Sequence, residues 1–153
     1  MRLLTEATEW SDETAESMIE QGPGSMVMQP LSEWVPESGN GLALEVDDEP
    51  ASQFCQAPLI TINFPVFTDG RGLSLAVLLR TRYDFTGELR AVGDVHQDLL
   101  HYMRRCGFDS YVLPEHRQLP AADNRQPFSP YADYYQASVV QPEPAFRRVP
   151  RGA

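Results

Sequence analysis

The chain has no lysine: all 12 of its basic residues are arginine. This excludes Schiff-base chemistry on a lysine and a Walker-type phosphate loop, since each needs a lysine ammonium. Cysteine is scarce, with only Cys55 and Cys106, too few for a disulfide framework. There is no CxxC or HExxH spacing. His96 and His101 do not sit at i and i+4, so they cannot share a helix face as paired ligands. No metal site and no cofactor is expected. The GxSxG elbow is missing and Ser74 has no evident base, so nucleophilic hydrolysis is not expected either. No run approaches the ~18 consecutive apolar residues of a membrane span. Residues 1–20 are acidic and lack the apolar core of a secretory leader. A cytoplasmic protein, not bound to membrane, is the expectation.

Acid is abundant. The formal net charge is -10, a field that repels phosphate and argues against nucleic acid or an anionic bilayer as a non-specific partner. A chain of 153 residues with 42% hydrophobic content is long enough for one domain with a real core. The 13 prolines avoid residues 66–113, which leaves that middle region free to form regular elements.

The composition divides the chain into three parts. Residues 1–40 are acidic and turn-rich, with scattered apolar anchors such as Trp10, Met28 and Trp34. They read as an irregular N-terminal appendage packed on the main domain. Residues 41–140 read as an α/β core, with a last strand or short helix expected over 131–140, and 141–153 as an extended C-terminal tail. Within the core, 41–46, 59–64, 88–92 and 108–113 are strand-like. The Asp47-Asp48-Glu49-Pro50 run suits the opening of a short helix, and 72–83 is helical. The spacing predicts a further helix over 94–106, with Asp94 as N-cap and Gln97 completing a capping box. Val95, Leu99, Tyr102, Met103 and Cys106 supply its apolar stripe, and Gly107 its C′ residue. Strands alternating with helices at this spacing mean βαβ units and a mainly parallel sheet, either open or part of a barrel.

In a parallel sheet the turns after the strands share one edge, where α/β proteins keep their ligand sites. Phe64-Pro65-Val66-Phe67-Thr68-Asp69-Gly70-Arg71-Gly72 and Gly93-Asp94 both follow strands and open helices. Thr68, Gly70, Arg71, Gly72 and Gly93 are therefore candidates for binding an anion, through Arg71 and the free N–H groups of the helix start. Asp69 and Asp94 are the candidate acid or base groups. The simpler alternative is that the two aspartates cap helices and Arg71 pairs with a carboxylate across the turn. Gly70-Arg71-Gly72-Leu73-Ser74-Leu75 matches a dinucleotide fingerprint only in part, because Leu75 replaces its third glycine. The helix over 72–83 is apolar on more than one face, which makes Leu73 and Val77 candidates for an interface with a partner or a second copy of the chain. Arg80, Arg82 and Arg90 read as solvated or ion-paired.

Three motifs in order carry a family resemblance: Phe64-Pro-x-Phe-Thr-Asp-Gly-Arg-Gly72, Thr86-Gly-Glu-Leu-Arg-Ala-Val-Gly-Asp-Val95 and Arg105-Cys-Gly-Phe-Asp-Ser110. Over residues 40–113 the chain resembles a bacterial family known as domain of unknown function 934, and Phe146-Arg147-Arg148 extends the likeness. Two positions depart from the expected pattern: Val66 replaces a basic residue and Leu99 a glutamine. Members are often encoded beside assimilatory sulfite reductase, and some are labelled oxidoreductases on that basis. The resemblance implies a role in reducing sulfite to sulfide for cysteine synthesis. Sulfite reduction uses an iron–sulfur cluster held by cysteine thiolates, and two distant cysteines do not make such a site. The expected role is thus an accessory protein acting with the reductase or its electron donor. The alternative is a small α/β enzyme acting on an anionic or phosphorylated metabolite at the strand edge.

Overall fold

The computed structural model describes residues 2–5, 21–22, 26–114, 116 and 134–148, the first two stretches as backbone only. Seven strands form one sheet: β1 (Arg2–Thr5), β2 (Gln21–Gly22), β3 (Met26–Pro30), β4 (Gly41–Glu45), β5 (Leu59–Phe64), β6 (Glu88–Gly93) and β7 (Ser110–Leu113). The helices are α1 (Arg71–Thr81), α2 (Leu100–Cys106) and the single turn α3 (Ala145–Arg148), with 3-10 turns at Ser52–Gln56 and Gln97–Leu99. The spatial order is β1-β7-β6-β5-β4-β3-β2. Strands β3 to β7 are parallel, and β1 and β2 are antiparallel strands at the two edges. The sheet is open, so of the two architectures expected the partial barrel is excluded. Its parallel strands follow one another in chain order. Right-handed crossovers then place every connection on one face, and α1 and α2 do touch each other.

Strand periodicity explains how the two faces differ. In β5, Ile60, Ile62 and Phe64 point to the helices and join Leu42, Leu44, Leu89, Ala91, Tyr111 and Leu113 in a core completed by Leu75, Leu79, Leu100 and Met103. Each fully buried side chain of this size contributes about 1.5–3 kcal/mol. The opposite face carries Thr61, Glu88, Arg90 and Ser110. Arg90 is 3% exposed. Its guanidinium donates to Glu88 Oε1 (2.8 Å) and Ser110 Oγ (3.1 Å), and Ser110 Oγ donates to the same Glu88 oxygen at 2.6 Å. Arg80 is also ion-paired, to Asp109, and donates to the carbonyls of Phe85, Gly87 and Gly107. It fastens the end of α1 to the loops before β6 and β7.

Five expectations need amendment. The helix expected over 94–106 starts late, with a 3-10 turn at Gln97–Leu99 followed by α2. Asp94 is not its N-cap. The Asp94 N–H is drawn to Phe64 O at 2.8 Å and its carboxylate to Phe67 N at 3.2 Å, so the chain stays in a turn. His96 caps in its place, Nδ1 accepting from Asp98 N at 3.2 Å. As a result Tyr102 is 49% exposed and Leu100 takes its place in the core. The short helix expected to open at 47–50 begins only at Ser52, as a 3-10 turn to Gln56, because the Asp48 carboxylate accepts from Glu45 N at 2.8 Å and closes a turn first. The N-terminal forty residues supply strands as well as loops: β1 and β2 at the edges and β3 within the parallel sheet. The tail, expected to be extended, contains α3. Of the strand or short helix expected over 131–140, residues 131–133 lie outside the described residues, and 134–140 form neither.

Candidate functional site

The C-terminal edge of the parallel strands is acidic. Glu45 ends β4 and is followed by Asp47, Asp48 and Glu49, Asp69 follows β5, and Asp94 follows β6. The turn after β5 is shaped by two close approaches. A Cβ on Gly72 would lie 2.6 Å from the Phe64 ring, so only glycine lets α1 start so close to β5. Gly93 has φ +89°, and a Cβ there would meet Phe64 O at 2.4 Å. Gly70 is different: its φ is -72° and nothing lies within 4 Å of where a Cβ would be.

Arg71 sits where sequence reasoning placed it, but its donors are engaged. Its Nε and Nη2 bind both oxygens of Asp69 (3.0 and 2.6 Å), and its Nη1 pairs with Asp47 from the turn after β4. Asp69 Oδ1 also accepts from Arg71 N at 3.1 Å. The Arg71 hydrogen bonds hold the Asp69 carboxyl below the ordinary carboxylate range, and Asp69 in turn raises the Arg71 pKa. Sequence reasoning missed Asp47, whose only signal was its place after a parallel strand. Asp94 shares the edge but not this cluster. It faces Phe67 N and, at 4.0 Å, His116 Nε2. Thr68 is exposed. Among the described residues, no group of three or more His, Cys, Asp or Glu could hold a metal ion.

The helical side is apolar outside as well as inside. Of the two candidate interface residues, Leu73 is half-buried against the core, while Val77 lines a groove. Leu78, one residue on, is exposed. The groove encloses about 410 Å³ between α1, α2 and residues 137–142. Val77, Thr81, Tyr102, Arg105, Cys106 and Val139 are among its lining residues. The segment is tied down by Val139 N donating to Arg105 O at 3.1 Å and by the Arg105 guanidinium stacking 3.9 Å above the Tyr134 ring. Tyr135, Val140 and Phe146 are at least half exposed beside it. Burial raises the pKa of the Cys106 thiol.

Fold and site together define an open α/β protein with five parallel strands in chain order, an internally ion-paired strand edge and an apolar helical face. More particularly, the chain belongs to the bacterial family of proteins of unknown function DUF934, which it matches over residues 41–146. That span runs from β4 into α3, and so includes both turns and every lining residue of the groove. No curated protein and no solved structure matches the chain. No helix among the described residues is long and apolar enough to cross a membrane.

Proposed function

We propose that this protein is an accessory component of assimilatory sulfite reduction that docks on the reductase or its electron donor. The docking face is the outer side of α1 and α2 with residues 134–148. The observation that carries the docking is the set of exposed large apolar side chains on these elements: Leu78, Tyr102, Tyr135, Val140 and Phe146, with the Tyr135 and Phe146 rings in contact. Solvent does not favour their exposure, and a partner surface covers them at a gain of about 25 cal/mol per Å². The link to sulfite rests on the family resemblance. The enzyme reading is weaker, since an anion arriving at Arg71 must displace Asp47 and Asp69 from its guanidinium.

A strain lacking the protein tests the role. Growth on sulfide but not on sulfate or sulfite is the expected result, and normal growth on all three would count against it. Affinity capture on the intact chain should retain the reductase or its donor. Leu78→Asp and Val140→Asp, both at exposed positions, should abolish that capture while leaving thermal unfolding unchanged. Capture of a second copy alone would instead assign the face to a homodimer.

A further inference from the structure

The groove between α1, α2 and residues 137–142 has one strongly polar feature, the Arg105 guanidinium. Among the described residues no carboxylate lies within ion-pairing distance of it, in a chain whose net charge is -10. Arg71, Arg80 and Arg90, by contrast, each have such a carboxylate. Arg105 Nε is buried without a hydrogen-bond partner. The cation is nevertheless held in place, with the Tyr134 ring 3.9 Å and the Tyr102 ring 5.7 Å from its central carbon.

Stacking occupies the faces of a guanidinium and leaves in-plane N–H groups for a planar acceptor; with Nε buried, those of the two Nη nitrogens are the pair that can hold a carboxylate in bidentate fashion. The rest of the groove is mostly apolar, with Val77, Val139 and Pro142 along its walls and Cys106 lining it too. Its volume, about 410 Å³, falls in the range of small-molecule sites. The overall acidity of the molecule penalises a second negative charge on the ligand.

We propose that this groove binds a small amphipathic monocarboxylate, its carboxylate on Arg105 and its hydrocarbon body against Val77, Val139 and Pro142. The site is separate from the acidic strand edge, and it does not depend on the role in sulfite reduction.

Octanoate below its aggregation concentration serves as the probe, titrated into the full-length protein and followed by amide NMR. Saturable shifts centred on Val77, Cys106 and Val139 are expected. Arg105→Met should weaken binding on the order of tenfold or more, because a charge-assisted bidentate pair is lost. Octanol should bind more weakly than octanoate. Val139→Trp, which fills the groove from a loop and not from the core, should abolish binding. Each variant is compared only after its amide spectrum shows a folded chain. Absence of saturable octanoate binding to the wild-type protein overturns the proposal, as does equal affinity for Arg105→Met or shifts centred elsewhere. Octyl phosphate binding as tightly as octanoate at a pH where it is a dianion overturns the restriction to monoanions.

Discussion

Asp69 shows how far a single residue couples the strand edge to pH. Its folded pKa is lowered, chiefly by the Arg71 side-chain hydrogen bonds. A lowered carboxyl pKa gives stability that is complete above the unfolded value of about 3.9 and is lost as pH falls through the folded one. Urea unfolding of wild type and Asp69→Asn should therefore differ at pH 7 and converge in strong acid. His101 works on a different range. Burial, with Arg105 and Arg104 nearby, lowers its pKa below 6.5, so the fold prefers the neutral ring. Stability tied to this residue is full above the unfolded pKa and declines as pH falls toward the folded one. His101→Asn should flatten the stability profile between pH 7 and 5, with NMR titration of the ring as the direct check. That Arg71 pairs with a carboxylate across the turn was legible in the sequence, but that Asp69 serves as this partner rather than as a helix cap was not. Nor was Asp47, because it comes from the turn of a neighbouring strand.

At the scale of elements, the turn between β6 and α2 is where local signals misled. Strand β5 was legible to the residue, since Leu-Ile-Thr-Ile-Asn-Phe is β-rich and closed by Pro58 and Pro65. The Gly107 cap was equally plain, and it is left-handed with φ 106°. The start of α2 was not legible, because a tertiary bond from Asp94 N to Phe64 O overrides a good capping sequence. Such a bond depends on which strands are neighbours, and no window along the chain contains that. Two substitutions separate the local reading from the observed one. His96→Ala should cost about 0.5–1 kcal/mol as the loss of a cap. Gly93→Ala should cost more, about 1–3 kcal/mol or above, because it combines a positive φ with contact against Phe64 O. Thermal unfolding of the two variants gives the ranking, and an equal cost would contradict it.

Across the whole molecule the sheet separates its chemistry by face. The helix side holds the apolar core, while the other side places Arg90, 3% exposed, beside Glu88, 29% exposed. Removing Glu88 takes one carboxylate from a buried cation that keeps its bond to Ser110, so Glu88→Ala should destabilise by about 1–3 kcal/mol, less than for a fully buried pair. Denaturant titration checks this, and a neutral result would mean that Arg90 does not depend on the Glu88 carboxylate. The alternation of β6 put Glu88 and Arg90 on one face, but nothing in the sequence said that this face is buried. The groove was hidden for a related reason. Its walls come from α1, α2 and residues 137–142, and only the fold brings those together.

The pairing of β1 with β7 bears on how the chain matures at the ribosome. Arg2 lies opposite Leu113 and Thr5 opposite Ser110, so β1 must wait for β7, the strand furthest from it in chain order among those described. Until then the β7 side of the growing sheet has no cap, and the nascent chain carries an open template for pairing with other chains. Contacts of such long range are also slow to form. Closure of this hydrogen-bonded seam is therefore expected late in folding, after β7 is in place.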